Sequence, residues 1–479
     1  MGSSAKSNEG LHILFASPEV APFFHSPLAE LSRQLPAELR RQGAKVSIVT
    51  PYDPRINPTD HRLAERLTVL ELDFDGRHVE LKVLEGRTSE GVRIFFLRND
   101  ELLSPTGHYD PALRAGLFSQ AICAFVDKMA IAVDIIHTIG WQTGLVPVYL
   151  EERYADSTKL ASVTVFSTIA DIADQGNFPL SLLPRLGLRE SLNHPDDLEF
   201  YGQLSFLKAS ILYSDLLGTL SPHYQEAILT AEAGQRLDGV LRKRAEDLQS
   251  VVLGINEREN DPQTEPALVA NFSADKLNPK QQCKAAIQKE LGLPLRPKKP
   301  LLLFLGPLSE ARGLDLVSDI LDDLMDREVQ LVFLGTGEPH YERAVRTWKD
   351  EFPKNIAIHA EDDALTRRRF LAAADMLLLP AAQLPFDQHH LIARRFGAIP
   401  VARRISSYAD SLRPIQGNEG NAFLFEGFDP DAFYDVAMDA IDAYESEERW
   451  LALVQASMKD VPTSASTAEG LIAAYQLLL

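Results

Sequence analysis

The stretch LHILFASPEVAPFFHSPLAELSRQLPAELRRQGAKVSIVT, residues 11–50, decides the fold class. It opens with an apolar run at 11–16, continues with helical apolar spacing over 28–42 that ends at Gly43, and closes with a second apolar run at 45–50. A strand, a helix stopped by a glycine and a second strand form a βαβ unit, which implies a parallel sheet. We therefore predict an α/β protein.

The rest of the first half extends this pattern. Residues 64–98 alternate between apolar and polar side chains around an Asp75-Gly76 turn, which is typical of hairpin strands. Further strands are expected at 134–137 and 163–169, with helices between them.

A second block of alternating strands and helices begins with PLLLFLG at 300–306. It predicts strands at 329–334, 356–359, 376–379 and 398–402, and helices at 314–327, 340–351, 364–374 and 388–396. Two doubly wound, Rossmann-like domains in tandem follow from this, joined within the polar region 254–298. The ligand of such a pair is expected in a cleft between the domains, outside the carboxyl ends of the strands.

Charge and cysteine usage narrow the function classes. The formal net charge of −20 over 479 residues makes nucleic acid and a membrane surface poor partners, while a local basic pocket remains compatible with it. Cys123 and Cys283, the two cysteines, lie in apolar helical patterns, so we expect core residues in a reducing compartment. No apolar run reaches membrane-spanning length, and residues 1–10 lack the apolar core of a secretory signal, so we expect a cytoplasmic protein.

Short motifs then follow this framework in a fixed order. They are SPEVAPF at 17–23, WQTGL at 141–145, QG at 175–176, EFYGQLSFLKA at 199–209, TLSPHY at 219–224, LDGVL at 237–241, GLDLV at 313–317, QLVFLGTG at 330–337 and FGAIP at 396–400. In this order the chain resembles bacterial glycogen synthases and plant starch synthases, retaining glucosyltransferases of the GT-B architecture. The resemblance implies ADP-glucose or UDP-glucose as donor and an α-1,4-glucan as acceptor, with no metal and no cofactor.

The resemblance also assigns the domains. It implies an acceptor-side Rossmann-like domain over 10–255, a nucleotide-sugar-side domain over 256–462, and a C-terminal helix over 463–479 that packs back on the first domain. Candidate contacts to a glucan are then Trp141, Gln175, Gly176 and Tyr201. Trp141 could stack on a sugar, although packing is the more common role of a tryptophan at this family position.

Three positions that carry catalytic side chains in the family have lost that chemistry here. The family's acid before the Trp-Gln-Thr motif is Gly140, its histidine before the Gln-Gly motif is Ala170, and its sugar-facing glutamate is Leu384. None of these residues can stabilise a developing charge or donate a hydrogen bond from its side chain. We therefore expect no catalytic residue at these positions.

The phosphate-binding loops depart from the family as well. Where the family has Lys-Thr-Gly-Gly, the first loop reads HSP, with His25 in place of the lysine and Pro27 lacking an N–H group. In the second domain one of two cations is Pro307, and the other is Arg312, which can grip a phosphate in bidentate fashion. The candidate remnants of the nucleotide-sugar site are His25, Arg312, Gly313, Gly335, Asp387 and His389.

Several of these residues have an alternative reading. Arg312 could instead pair with a local carboxylate such as Glu310 or Asp315. Asp387 could cap the following helix, and His389 and His390 could form its first turn with one imidazole exposed.

Three functions remain open. The first is a non-catalytic glucan-binding, scaffolding or regulatory homologue, whose partners would be an α-glucan, a nucleotide sugar or an active synthase. The second is an active glucosyltransferase with a rebuilt site. The third is a nucleotide-sugar sensor. Polar groups for a rebuilt site would be His25, Arg312, Asp387, His389 and His390.

Overall fold

A computed structural model describes residues 10–24, 26–129, 131–382, 384, 386–417 and 419–479. The chain divides into two compact units, one built from the residues up to Val252 together with 464–479, the other from Leu253–Thr463. The stretch 254–298, where the sequence placed the join, belongs wholly to the second unit. The assignment of 10–255, 256–462 and 463–479 to acceptor, donor and returning segments stays a prediction.

The strands of the first unit belong to two sheets. They are β1 His12–Ala16, β2 Lys45–Pro51, β3 Ala64–Phe74, β4 Arg77–Arg87, β5 Arg93–Arg98, β6 Ile135–Ile139, β7 Thr164–Thr168, β8 Asn177–Pro179, β9 Glu199–Phe200, β10 Gln203–Ser205, β11 Leu216–Thr219 and β12 Leu248–Ser250. The helices of its first segment are α1 Pro27–Arg41, α2 Pro111–Lys128, α3 Val146–Arg153, α4 Phe206–Tyr213, α5 Pro222–Ile228 and α6 Asp238–Lys243.

Within the described residues the large sheet has the order β12-β11-β7-β6-β1-β2-β5-β4-β3. It is parallel from β12 to β5, as the βαβ pattern predicts. β4 and β3 then add an antiparallel hairpin around Asp75 and Gly76, where only alternate side chains of the second half of β3 are buried. A small antiparallel sheet, β8-β10-β9, lies outside the large one.

The second unit has a fully parallel sheet in the order β15-β14-β13-β16-β17-β18. Its strands are β13 Leu301–Leu305, β14 Gln330–Leu334, β15 Ile356–His359, β16 Met376–Leu379, β17 Ile399–Arg403 and β18 Phe423–Phe425. Its helices are α7 Lys280–Glu290, α8 Leu314–Asp319, α9 Leu321–Asp326, α10 Pro339–Glu351, α11 Ala364–Ala373, α12 His389–Arg395, α13 Ser406–Ala409, α14 Pro430–Tyr444 and α15 Glu447–Lys459. The continuous runs of buried apolar residues in its strands are typical of a sheet covered on both faces.

The chain ends with α16 Ser464–Tyr475, which belongs to the first unit. Its Tyr475 hydroxyl lies 2.6 Å from Nδ1 of His137, a fully buried residue of β6 whose Nε2 lies 2.7 Å from the Thr168 hydroxyl. Cys123 and Cys283 are both buried, as expected of core residues. Among the described helices, none combines the length and the apolar character needed to cross a bilayer.

Candidate functional site

The loop after β1 leads into α1 through a filled helix cap. The Ser26 hydroxyl accepts a hydrogen bond from the Ala29 N–H at 3.0 Å and donates one to the Glu19 carboxylate. Pro27 occupies the first helical position, as its sequence predicts. A helix N-terminus favours negative charge, and here the chain's own Glu19 supplies it. His25, the predicted substitute for the family lysine, lies outside the described residues.

Gly140 follows β6 with a backbone that only glycine adopts readily. Its φ is 78° and its ψ is 157°. A Cβ atom built there would lie 2.8 Å from Oε1 of Gln142. The Gln142 side chain could move aside, but any residue with a Cβ atom would be strained by this backbone conformation, so restoring an acid here requires the loop to change its backbone.

Gln175 and Gly176, two predicted glucan contacts, hold their own loop together. The Gln175 amide nitrogen donates to the carbonyls of Ile172 (3.1 Å) and Gln235 (2.9 Å), and its oxygen accepts from the Asn177 amide at 3.0 Å. Gly176 has φ 59°, and a Cβ there would lie 2.5 Å from the Trp141 ring. These contacts give both residues a structural role in this loop.

Trp141 packs with aromatic side chains of the first unit. Its ring centroid lies 5.3 Å from that of Phe178 and 6.1 Å from that of Phe206. The ring is also so close to Gly176 that a Cβ atom there would clash with it. The contacts of Trp141 therefore fit the packing role that the sequence left open.

Ala170, at the family's histidine position, is half-buried and is followed by two carboxylates. Asp171 accepts a hydrogen bond from the Ala173 N–H at 2.8 Å. The pKa of Asp174 is raised, chiefly by burial. A hydrogen bond from Trp141 partly opposes this rise, and the charge of Asp171 adds to it. Asp174 was not predicted as a site residue, although Asp171 and Asp174 both lie within six residues of the end of β7.

Tyr201 has the most open ring among the predicted glucan contacts. It lies in the turn between β9 and β10 with φ 50°, and 69% of its surface is exposed. The Arg236 guanidinium lies 5.1 Å from its ring centroid. An exposed aromatic ring beside a hydrogen-bond donor can receive a sugar ring.

Arg312 lies in a 3₁₀ turn after β13 in the second unit. The turn, Glu310–Arg312, begins at Ser309, whose hydroxyl accepts from the Arg312 N–H at 3.4 Å. Gly313 follows with φ 78°, and a Cβ there would lie 2.1 Å from the Pro380 carbonyl oxygen. Glycine is therefore required for this close approach of the loops after β13 and β16.

The Arg312 guanidinium is bound by a carboxylate of the same chain. Its Nη1 lies 2.6 Å from Oδ2 of Asp387, and the two side chains are only 12% and 2% exposed. The expected local partners are wrong, because Asp315 accepts from the Tyr341 hydroxyl instead, and Glu310 forms no ion pair with a described residue. The actual partner lies 75 positions further along the sequence.

Asp387 is saturated with hydrogen-bond donors. Its Oδ1 accepts from the His389 N–H at 2.7 Å and lies 2.8 Å from His389 Nδ1, and its Oδ2 also accepts from the Tyr408 hydroxyl at 3.2 Å. Burial raises the pKa of Asp387, but the charges of His389 and Arg312 outweigh burial and hold this pKa well below its usual range. We call Arg312, Asp387, His389 and Tyr408 the arginine-aspartate cluster.

The arginine-aspartate cluster occupies the carboxyl edge of the second sheet. Its members come from the loops after β13, β16 and β17, which are adjacent strands. This edge is where α/β sheets bind their ligands. An anion that binds at this edge would have to compete with Asp387 for the Arg312 guanidinium.

Neither histidine at the start of α12 is fully exposed, whereas the sequence led us to expect one exposed imidazole. His390 is 2% exposed, and its Nε2 lies 2.7 Å from the Ser411 hydroxyl. Burial lowers its pKa to about 3, so it is neutral near pH 7. The His389 side chain is 15% exposed beside Asp387. Asp387 bonds the first helical N–H as expected of a cap, although the residue in the cap position is Gln388.

Leu384 and Gly335 both have packing roles. Leu384 is partly buried against the apolar core of the second unit. Gly335 has φ 113°, and a Cβ there would lie 3.3 Å from the Cα of Gly306, so the loops after β13 and β14 touch through their backbones.

Arg403, at the end of β17, is a further cation that the sequence analysis missed. Its Nη1 donates to the Ala382 carbonyl, and its guanidinium lies 5.7 Å from the Phe428 ring centroid. Burial lowers its pKa. Its place at the carboxyl end of a predicted parallel strand was the signal that could have identified it.

Comparison with known proteins identifies the lineage. Residues 12–243 match the starch synthase catalytic domain family. The glycogen synthase of Moorella thermoacetica is 34% identical over 460 residues, covering 94% of this chain and 93% of that protein. The glycogen synthase of Anaeromyxobacter sp. (strain Fw109-5) is 35% identical over 458 residues, covering 94% and 95%. The chain belongs to the glycogen synthase family.

Solved structures agree with this membership of the glycogen synthase family. The catalytic domain of starch synthase IV from Arabidopsis thaliana, bound to ADP and acarbose, superposes with a TM-score of 0.90 at 26% identity, covering 98% of this chain and 99% of that one. Sucrose-phosphate synthase from Thermosynechococcus elongatus shares the fold with a TM-score of 0.64 at 15% identity, covering 98% and 99%. The predicted α/β fold of the GT-B class and the predicted family are both confirmed.

Proposed function

We propose that this member of the glycogen synthase family acts in α-glucan metabolism as a glucan-binding, scaffolding or regulatory protein that does not perform ordinary glucosyl transfer. The observation that carries the proposal is the arginine-aspartate cluster. Arg312 is the cation retained from the family's phosphate-binding motif, and the buried carboxylate of Asp387 already neutralises it at 2.6 Å. A donor diphosphate would have to displace this carboxylate and leave it uncompensated.

Displacing the Asp387 carboxylate from Arg312 would cost a large amount of free energy. Breaking a buried ion pair by removing one partner costs about 3–5 kcal/mol. The Tyr408 hydroxyl and the His389 N–H would lose a charged acceptor at the same time. Phosphate binding to Arg312 would therefore begin with a deficit that the family's lysine does not face.

The absence of polar side chains at the family's catalytic positions also argues against ordinary glucosyl transfer. Removing one preorganised polar partner typically slows an enzyme about 10²–10³-fold. Gly140, Ala170, Pro307 and Leu384 each replace such a partner, and His25 replaces a permanently charged one. Their combined effect supports a chain with turnover far below that of an ordinary synthase.

Glucan binding, in contrast, needs none of these groups. Tyr201 offers an exposed ring with Arg236 beside it, and Asp171 and Asp174 offer acceptors for sugar hydroxyls. We propose Tyr201 as the main contact to an α-glucan, and a cytoplasmic site of action.

The experiment compares the purified full chain with the Moorella thermoacetica glycogen synthase. Each is incubated with labelled ADP-glucose or UDP-glucose and glycogen. We expect no incorporation by this chain and binding of maltooligosaccharides in calorimetry, weakened by Tyr201→Ala. Polymer growth near one turnover per second would refute the proposal, since ordinary enzymes work at roughly 1–10³ per second.

A restoration series separates the phosphate site from the sugar site. Ala170→His with Leu384→Glu should leave the chain inactive, because Arg312 remains neutralised. Adding Asp387→Gly to this pair removes the carboxylate that neutralises Arg312 and should tighten ADP binding measured by calorimetry. Full activity with only the first two changes would show that the phosphate argument is wrong.

An active transferase with a rebuilt site is the second candidate. It is favoured by 34–35% identity to two glycogen synthases over 94% of the chain. Incorporation that falls in Arg312→Gln and His389→Ala would support it. Tight binding of ADP or UDP without incorporation and without glucan binding would instead support the third candidate, a nucleotide-sugar sensor.

A further inference from the structure

The first unit contains a basic cavity at the edge of its sheet where the parallel strands begin. The cavity has a volume of about 400 Å³. Strands β1, β2 and β5 contribute their first residues, His12, Lys45 and Arg93, and β4 contributes its last residue, Arg87. Arg40, from the last turn of α1, completes the basic lining, in which Arg40, Lys45, Arg87 and Arg93 are the four cations. We call this the basic cavity.

The cations of the basic cavity are poorly neutralised. Arg40 donates to the Glu90 carbonyl at 3.1 Å and Arg87 to the Gly91 carbonyl at 2.9 Å, so both meet backbone only. Among the residues that the structure describes, no carboxylate forms an ion pair with Arg40, Arg87 or Lys45. In a chain with a net charge of −20, a cavity whose described lining residues include four cations, only one of them (Arg93) in an ion pair, and no carboxylate is a strong local exception.

Three described carboxylates near the cavity already have partners, and one of them, Glu85, neutralises the lining cation Arg93. Glu90 pairs with Arg33, and Glu85 is shared between Arg66 and Arg93, with its Oε1 3.0 Å from Arg93 Nε. Asp134 accepts the backbone N–H of His12 at 2.8 Å. The positive potential inside the cavity therefore comes from Arg40, Arg87 and Lys45.

We propose that the basic cavity binds a small phosphorylated molecule of the size of a hexose phosphate. Guanidinium groups match phosphate oxygens in bidentate fashion, and the Lys45 ammonium adds a mobile point charge. A volume of about 400 Å³ suits a ligand of this size and is too small for a folded partner. The aliphatic side chains of Ile13, Leu14 and Val133 line the cavity and can contact the carbon skeleton.

This site is separate from the proposed function. Parallel α/β sheets bind their substrates at the carboxyl edge, and the basic cavity lies at the opposite edge of the first sheet. The proposal holds whether or not the chain transfers glucose. It adds a place where a phosphorylated metabolite could stabilise the first unit.

The test is calorimetry on the full chain with four probes at equal ionic strength: inorganic phosphate, a hexose monophosphate, a hexose bisphosphate and an unphosphorylated hexose. We expect the bisphosphate to bind most tightly, the monophosphate more weakly, inorganic phosphate weakest, and the hexose not at all. A single-stranded oligonucleotide serves as a polyanion control and should not bind.

Variants locate the binding. Lys45→Gln and Arg87→Gln change exposed side chains at strand ends, and each should weaken bisphosphate binding about tenfold. Arg449→Gln is the matched control, because Arg449 is an exposed arginine that donates to a glycine carbonyl in the other unit. It should change the affinity less than twofold. Unfolding midpoints confirm that all three variants are folded.

Three outcomes would overturn the proposal. They are bisphosphate binding that is undetectable at millimolar concentration, equal affinity in Lys45→Gln, Arg87→Gln and the Arg449→Gln control, and binding of the oligonucleotide in preference to the bisphosphate. The last would mean a surface for polymers rather than a cavity for a metabolite.

Discussion

Replacing Asp387 by asparagine tests the arginine-aspartate cluster directly. Asparagine keeps the shape and can still accept the His389 N–H, but it removes the charge that faces Arg312 at 2.6 Å. Because the two side chains are only 12% and 2% exposed, the guanidinium is left with little solvent to compensate it. Breaking such a pair lowers the free energy of unfolding by about 3–5 kcal/mol. Because Asp387→Asn retains one hydrogen bond, we expect a loss of about 3 kcal/mol.

The assay is urea unfolding followed by tryptophan fluorescence. Trp348 and Trp450 lie in the second unit and Trp141 in the first, so two of the three tryptophans report on the unit that contains Asp387. Arg312→Gln and the double variant complete a cycle, for which we expect a coupling free energy of about 2 kcal/mol, since the two side chains are in contact. A loss below about 1 kcal/mol in Asp387→Asn with no coupling would refute our account of the cluster.

The pH dependence gives an independent check on the same pair. The folded pKa of Asp387 is depressed below the ordinary value of 3.8, so its stabilisation is complete above that value and is lost as the pH falls through the folded pKa. The destabilisation of Asp387→Asn relative to the native chain should therefore still be present at about pH 5. It should shrink only below about pH 4.

Three further predictions concern buried groups. Lys284→Met should destabilise the second unit by about 3–5 kcal/mol, because it leaves Asp375 without the ammonium 2.6 Å away, and adding Asp375→Leu should recover most of the loss in the same urea assay. Burial lowers the pKa of His137 and of His390 to about 3, so below about pH 6.5 the unfolded chain binds these two protons and the folded chain does not. As the pH falls, the free energy of unfolding should therefore decrease by roughly 1.4 kcal/mol per pH unit for each histidine. A glutamine at either position should remove that residue's share of the slope measured between pH 6 and 4. Gly176→Ala should lower the unfolding midpoint of the first unit by forcing a methyl group into the tryptophan ring 2.5 Å away; an unchanged midpoint in thermal denaturation would contradict the packing role.

Local pattern predicted most of the framework. The run at 300–306 yields β13, and the strands expected at 356–359 and 376–379 have those bounds in the structure. The helix expected over 314–327 is two helices, α8 and α9, which meet at Ile320. The acids at 322 and 323 mark the first turn of α9, and this helix-start signal was overlooked inside a continuous apolar pattern.

The pairing of Arg312 with Asp387 could not be predicted from local sequence. Two carboxylates, Glu310 and Asp315, lie within three positions of the arginine, whereas the true partner lies 75 positions away. The contact depends on β13 being adjacent to β16 although two strands intervene in the sequence. Strand order is a property of the whole sheet, so spacing along the chain does not contain it.

The departures from the family form a physically consistent set. The structure brings the side chains of Asp387 and Tyr408 within 3.2 Å of each other beside Arg312. A buried aspartate without partners would cost several kcal/mol, so Asp387 is tolerable only because Arg312 and Tyr408 neutralise and solvate it. Unconstrained drift would leave uncompensated charges and damaged strand cores, whereas this sheet keeps continuous buried apolar strands. Both features are compatible with the proposed role that relies on the scaffold, and the incorporation assay with labelled donor decides between that role and glucosyl transfer.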